Sequence, residues 1–234
     1  MKEAAPRAGE AVRRSSGMGV MLEGGGCWFT AMAAGDFTEP TLEQLGALAS
    51  ERSIPAGSFA RSPQVHGANV RLVMEPQEAA YEGEFDGQVT CSREVACAVR
   101  HADCLPVALI SESAAGVIHA GWRGLAAGVL AEGVRAMREA GSDRMTAVIG
   151  PGARSCCYEA GDEVHEAFAS LGAGARVGEN ADLPWVAAEQ LRRLGVDRQL
   201  DLGECTICAP GPRWHSHRRD GEKAGRSLAV AWRT

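Results

Sequence analysis

Three short segments gather the side chains best suited to chemistry: Pro63-Gln64-Val65-His66-Gly67, His101-Ala102-Asp103-Cys104-Leu105-Pro106, and Ile118-His119-Ala120-Gly121-Trp122-Arg123-Gly124. Glycine lets backbone and ligand approach closely, and loops at strand ends commonly carry sites. A thiolate and two imidazoles form a known catalytic zinc set, with Zn–S at about 2.3 Å, Zn–N at about 2.0–2.1 Å and a fourth position left for water or substrate. On this reading His66, Cys104 and His119 are the ligands. The same Cys104 and His119 suit metal-free catalysis equally well, with the thiol as nucleophile and the imidazole as base. Taken singly, each residue has a plainer reading: a lone histidine is commonly a hydrogen-bonded structural residue, and a lone cysteine beside an apolar run is commonly core. The case depends on whether the fold brings them together.

The apolar runs Leu105 to Ile110 and Gly116 to Ala120 flank a short polar stretch and read as a hairpin. A two-residue loop at Ser111-Glu112 puts Cys104 directly opposite His119. A loop two residues longer, from Ser111 to Ala114, leaves His119 diagonal to Cys104 on the same face. The pair survives either register.

Around this hairpin the periodicity predicts a mixed α/β chain. A capping box at Thr41 and Gln44 starts a helix to Glu51 with Leu42, Leu45 and Leu48 on one face. Val70 to Met74, Val95 to Val99, Met145 to Ile149, Gln199 to Leu202 and Ser227 to Trp232 read as strands. A helix after Trp122 carries Leu130, Val134 and Met137 and ends at Gly141. Two more carry Val164, Phe168 and Leu171, then Ala187, Leu191 and Leu194, the latter bracketed by Pro184 and Gly195.

The 234 residues fit one catalytic domain over 19–234, with 1–18 as a flexible extension; Glu3 and Glu10 argue against a transit peptide there. A net charge of −6 argues against nucleic acid as the main partner, and no apolar run is long enough to span a bilayer. Eight cysteines without a signal-peptide pattern point to thiols or metal ligands in a reducing, cytoplasmic setting. Cys205 and Cys208 form a single C-x-x-C with no second pair at finger spacing and no βαβ context, so packing or incidental thiols is the expectation for them.

The segments Gln64-Val65-His66-Gly67, Ala102-Asp103-Cys104-Leu105-Pro106-Val107 and His119-Ala120-Gly121-Trp122-Arg123-Gly124 resemble the multicopper polyphenol oxidoreductase, or laccase-like, family, now regarded as purine nucleoside phosphorylases. Gly150-Pro151, Cys156-Cys157-Tyr158-Glu159 and Ser216-His217-Arg218-Arg219-Asp220-Gly221 resemble its later motifs. The resemblance runs from Gln64 to the C-terminus. It implies a layered α/β/β/α architecture and an enzyme that binds zinc, or alternatively copper, through residues matching His66, Cys104 and His119. The implied reaction splits adenosine, inosine or methylthioadenosine with phosphate, and deamination of adenosine is a second implied activity. Related proteins include cysteine-dependent deamidases, and some are linked to peptidoglycan editing. The family's asparagine-containing N-terminal segments are missing, and Cys27-Trp28-Phe29-Thr30 is the strand that could remain from that region.

Within that frame Arg123 and Arg218 are candidate phosphate contacts, because a planar guanidinium makes two directed hydrogen bonds. Asp103 either orients His119 or a water, or stabilises its own turn, and Glu159 is a candidate acid or base. Six histidines are too few for a blue copper centre plus a trinuclear cluster, which argues against four-copper oxidase chemistry. The competing functions are a cysteine-dependent hydrolase or deamidase built on Cys104 and His119, and a non-catalytic metal-binding module. Purine nucleosides and phosphate are the expected partners.

Overall fold

The computed structural model describes residues 9–76, 83–211 and 213–234. The first part contains strands β1 (Ala11–Arg14), β2 (Gly17–Leu22), β3 (Gly25–Thr30), β4 (Ser58–Ala60) and β5 (Val70–Val73), with helix α1 (Leu42–Arg52) between β3 and β4. Strands β6 (Gly87–Thr90), β7 (Val95–His101), β8 (Leu105–Ile110) and β9 (Ala115–Ala120) follow. Then come helices α2 (Trp122–Ala126) and α3 (Val129–Glu139), strand β10 (Thr146–Ile149) and helix α4 (Asp162–Phe168). The chain closes with β11 (Arg176–Val177), β12 (Asn180–Ala181), α5 (Leu183–Arg193), β13 (Arg198–Asp201), α6 (His217–Asp220) and β14 (Ser227–Arg233).

The strands form two six-stranded sheets, ordered β1-β2-β3-β14-β7-β4 and β13-β10-β8-β9-β6-β5, and one small β11-β12 pair. Strand alternation sorts their side chains into three packed layers. Trp28, Ala96, Val230 and Trp232 of the first sheet pack with Leu45 and Leu48 of α1. Its other face supplies Phe29, Cys97, Val99 and Ala229 to a core shared with Ala108, Ile110, Ala115 and Val117 of the second sheet. Leu105, Val107, Leu109 and Ile118 turn the opposite way, onto Leu130, Val134 and Met137 of α3 and Val186 and Leu191 of α5. The result is a mixed α/β chain layered α/β/β/α. Strands β8 and β9 are buried on both faces, which is why they read as continuous apolar runs rather than alternating ones.

Several boundaries differ from the sequence reading for identifiable reasons. Thr41 forms the expected capping box, its Oγ1 accepting from Gln44 N at 3.1 Å while Gln44 Oε1 accepts from Thr41 N at 2.9 Å. Leu42, however, lies outside the apolar face and is 75% exposed. The segment after Trp122 splits at Gly128, which adopts φ 89° between α2 and α3. Of the segment read as a flexible extension, residues 11–14 form β1 and residues 17 and 18 begin β2, held by antiparallel pairing; residues 1–8 lie outside the described residues. Strands β10 and β13 pair in parallel across the connection that carries α4 and α5, so the C-x-x-C does follow a parallel crossover. Among the described residues no helix is long and apolar enough to cross a membrane.

Candidate metal centre

The β8–β9 hairpin takes the longer of the two loops. Leu105 pairs with Ala120 and Ile110 with Ala115, which leaves residues 111–114 as the turn. Ser111 explains this choice: its Oγ accepts from Ser113 N and Ala114 N, and its own N–H donates to Ala114 O at 2.9 Å. His119 therefore lies opposite Pro106 and diagonal to Cys104, both on the face turned towards the first sheet.

His66 arrives from the loop before β5. Its backbone sits at φ 60°, a left-handed conformation uncommon for a side-chain-bearing residue. Asp86 holds it there. This carboxylate, fully buried at the start of β6, accepts from His66 N at 2.9 Å and Gly67 N at 2.7 Å, and bonds His119 Nδ1 at 2.8 Å. Because the ionised carboxylate only accepts, Nδ1 of His119 carries the proton, and Nε2 is left for the site. The His66 and His119 rings stand edge to face with centroids 4.9 Å apart. One donor atom from each of His66, Cys104 and His119 lies within 4.8 Å of the other two, a separation that small side-chain adjustments close around one ion.

Gly121 keeps this space open. A Cβ there would stand 2.9 Å from Cys104 Sγ and 3.1 Å from a carbon of the His66 ring. Burial disfavours both charged forms, but the attraction and hydrogen bond between the thiol and the ring override it. Cys104 is held down to about 6 and His119 is pushed up to about 9. The donors thus favour a thiolate without any further base.

The site opens into a cavity of about 560 Å³ whose wall includes His101, Asp103, Trp122, Arg123, Tyr158 and Arg218. The Arg218 guanidinium lies 4.9 Å from the Tyr158 ring centroid, and Arg123 lies over Trp122 at 4.5 Å. Asp103, also left-handed at φ 88°, does not orient His119; that role belongs to Asp86. The Asp103 carboxylate instead accepts from Thr206 Oγ1 at 2.6 Å and from Arg218 N at 2.7 Å, fixing the start of α6 against the Cys104 loop. Glu159 is exposed and bridges to Asn180, away from the cavity wall.

Asp86 is the residue the sequence reading missed; Tyr158 and His101 lie within the motifs read there but carry no role in that reading. For Asp86 the only local signal is an Asp-Gly step opening a strand. Burial holds the His101 ring neutral, down to about 3, and neither of its nitrogens has a hydrogen-bond partner among the described residues.

A model of the family described as multi-copper polyphenol oxidoreductase laccase matches residues 30–234. The chain is 38% identical over 161 residues to a purine nucleoside phosphorylase of Aquifex aeolicus (strain VF5), covering 68% of this chain and 76% of that one. It is 33% identical over 196 residues to the purine nucleoside phosphorylase YfiH of Escherichia coli (strain K12), covering 78% of each. The hypothetical protein YfiH of Bacillus licheniformis superposes with a TM-score of 0.76 at 25% identity over 90% of this chain and 93% of that one. YlmD from Geobacillus stearothermophilus shares the fold, with a TM-score of 0.79 at 24% identity over 95% and 98% of the two chains. The chain belongs to the multi-copper polyphenol oxidoreductase laccase family.

Proposed function

We propose that the cavity is the active site of a metal-dependent purine nucleoside phosphorylase acting on adenosine, inosine or methylthioadenosine with phosphate. The observation that carries this reading is the convergence of His66, Cys104 and His119 beside a cavity walled by Arg123, Arg218 and Tyr158. Its volume falls in the range of small-molecule sites, roughly 300–1,000 Å³. Zinc suits the two-imidazole, one-thiolate set, with copper(II) as the alternative. When bound, the ion supplies Lewis-acid stabilisation of developing negative charge.

The chain's own residues account for the rest. Arg123 and Arg218 bind phosphate, whose oxygen forms a bond to the sugar carbon as the glycosidic C–N bond breaks. The departing purine takes up a proton. Tyr158 sits under Arg218 as an aromatic surface at the cavity wall. Asp86 keeps His119 in one tautomer. Deamination of adenosine at the same site is a second proposed activity, read directly as inosine formed from adenosine.

The phosphate assignment is tested by Michaelis constants. Losing a charged hydrogen bond of about 1.5–3 kcal/mol, Arg123→Ala and Arg218→Ala should each raise the phosphate KM by about 10- to 100-fold. An unchanged KM in both variants rejects these arginines as the phosphate site.

A second reading, a hydrolase or deamidase using Cys104 as nucleophile, is favoured by the thiolate–imidazolium pairing. Its pH signature separates from that of a metal ligand. In metal-stripped protein, iodoacetamide should modify Cys104 with a half-rise near pH 6 rather than near the ordinary thiol value of about 8.5, because the folded thiol loses its proton early. His119→Ala should move the half-rise back up. Metal-loaded protein should react slowly across this range, since coordination engages the sulfur lone pair. Fast modification of metal-loaded protein, with activity indifferent to metal, favours the cysteine nucleophile.

A further inference from the structure

We infer that the chain holds a second metal site, a closed structural zinc centre made by Cys156, Cys157, Cys205 and Cys208, which fastens one wall of the cavity. It goes beyond the proposed activity and does not depend on it. The four sulfurs lie within 4.8 Å of one another. Cys156 Sγ is 3.4 Å from Cys208 Sγ and 3.6 Å from Cys157 Sγ. Four thiolates around zinc at about 2.3 Å stand about 3.8 Å apart, so these separations already approach the edges of such a tetrahedron. All eight cysteines are free thiols, and the cluster contains neither histidine nor carboxylate, a donor set that selects zinc over hard cations.

The backbone is shaped for the same purpose. The cysteines come from the loops that follow β10 and β13, neighbouring parallel strands, so both loops leave the same end of the sheet. A bridge between Gly152 and Cys205 and a bond from Thr206 N to Gly152 O at 3.1 Å zip the loops together. Coordination by all four sulfurs closes the shell, which makes the centre structural rather than catalytic.

Its position says what it fastens. Tyr158 directly follows Cys157, and Thr206 lies inside the C-x-x-C with its hydroxyl on Asp103, the neighbour of Cys104. Both ligand pairs thus adjoin residues that shape the cavity. The isolated C-x-x-C of the sequence reading finds its second pair not at finger spacing but across the crossover between β10 and β13.

The test is zinc content per chain in protein purified under reductant. Wild type should hold about two ions. The double variant H66A/C104S, lacking the first site, should keep about one, and adding Cys208→Ser should remove it. Cobalt loaded into the double variant should give strong near-ultraviolet thiolate charge transfer, reduced by Cys156→Ser. If the double variant does not fold, wild type decides: two ions support the proposal and one ion removed by His66→Ala overturns it. A folded double variant without metal, or a Cys156–Cys208 disulfide in reductant-treated protein, also overturns it. A wild type holding one ion that His66→Ala leaves in place would instead count against the first site alone and support the second.

Discussion

Asp86→Ala should cost this protein about 3–5 kcal/mol of stability and at least ~10–100-fold in metal affinity at the His66, Cys104 and His119 site. The carboxylate is wholly buried and serves two segments at once, the His66 loop and β9. It accepts from the backbone at His66 and Gly67, holding a left-handed loop, and it fixes the proton on His119 Nδ1. Alanine leaves these donors, the buried His119 Nδ1 among them, without an acceptor, and both histidines lose their support. Asp86→Asn fills the same space but lacks the charge, so it should recover part of the stability while the metal affinity stays low. Thermal unfolding and metal titration of the two variants check this together. Wild-type affinity in Asp86→Ala would mean that the ligand geometry is set elsewhere.

The part of the site that could be read from the sequence is the part the chain builds locally. Cys104 and His119 belong to one hairpin, and either loop length keeps them on one face; Ser111 then decides in favour of the longer loop. His66 could be singled out by its motif, but its arrival beside them depends on Asp86, a contact across many residues with no periodic trace. Asp103 shows the limit of nearness in sequence: it adjoins Cys104 yet bonds Thr206 and Arg218, while the distant Asp86 holds His119.

The same contrast holds for the fold. Strands with apolar runs, such as β8, β9 and β14, stand out in the sequence, whereas β2, broken by glycine, and the short, partly polar β6 take their place through pairing, and β3 is legible only as Cys27 to Thr30. Gly19 shows why: a Cβ there would lie 2.1 Å from Cys27 O, so close packing of β2 on β3 demands the residue that weakens the strand signal. The meeting of Cys156 and Cys157 with Cys205 and Cys208 arises from parallel strand order, which spacing does not encode.

The central claim is that metal held by His66, Cys104 and His119 is required for phosphorolysis. The most direct measurement takes one preparation of the wild-type chain, determines its metal content, and follows ribose 1-phosphate formed from inosine and phosphate before chelation, after chelation and after zinc is restored. Activity should fall with the metal to background and return with it, and His66→Ala should lack both, because two remaining ligands bind too weakly to keep the site filled. Undiminished ribose 1-phosphate formation in protein shown by elemental analysis to be metal-free would contradict the account.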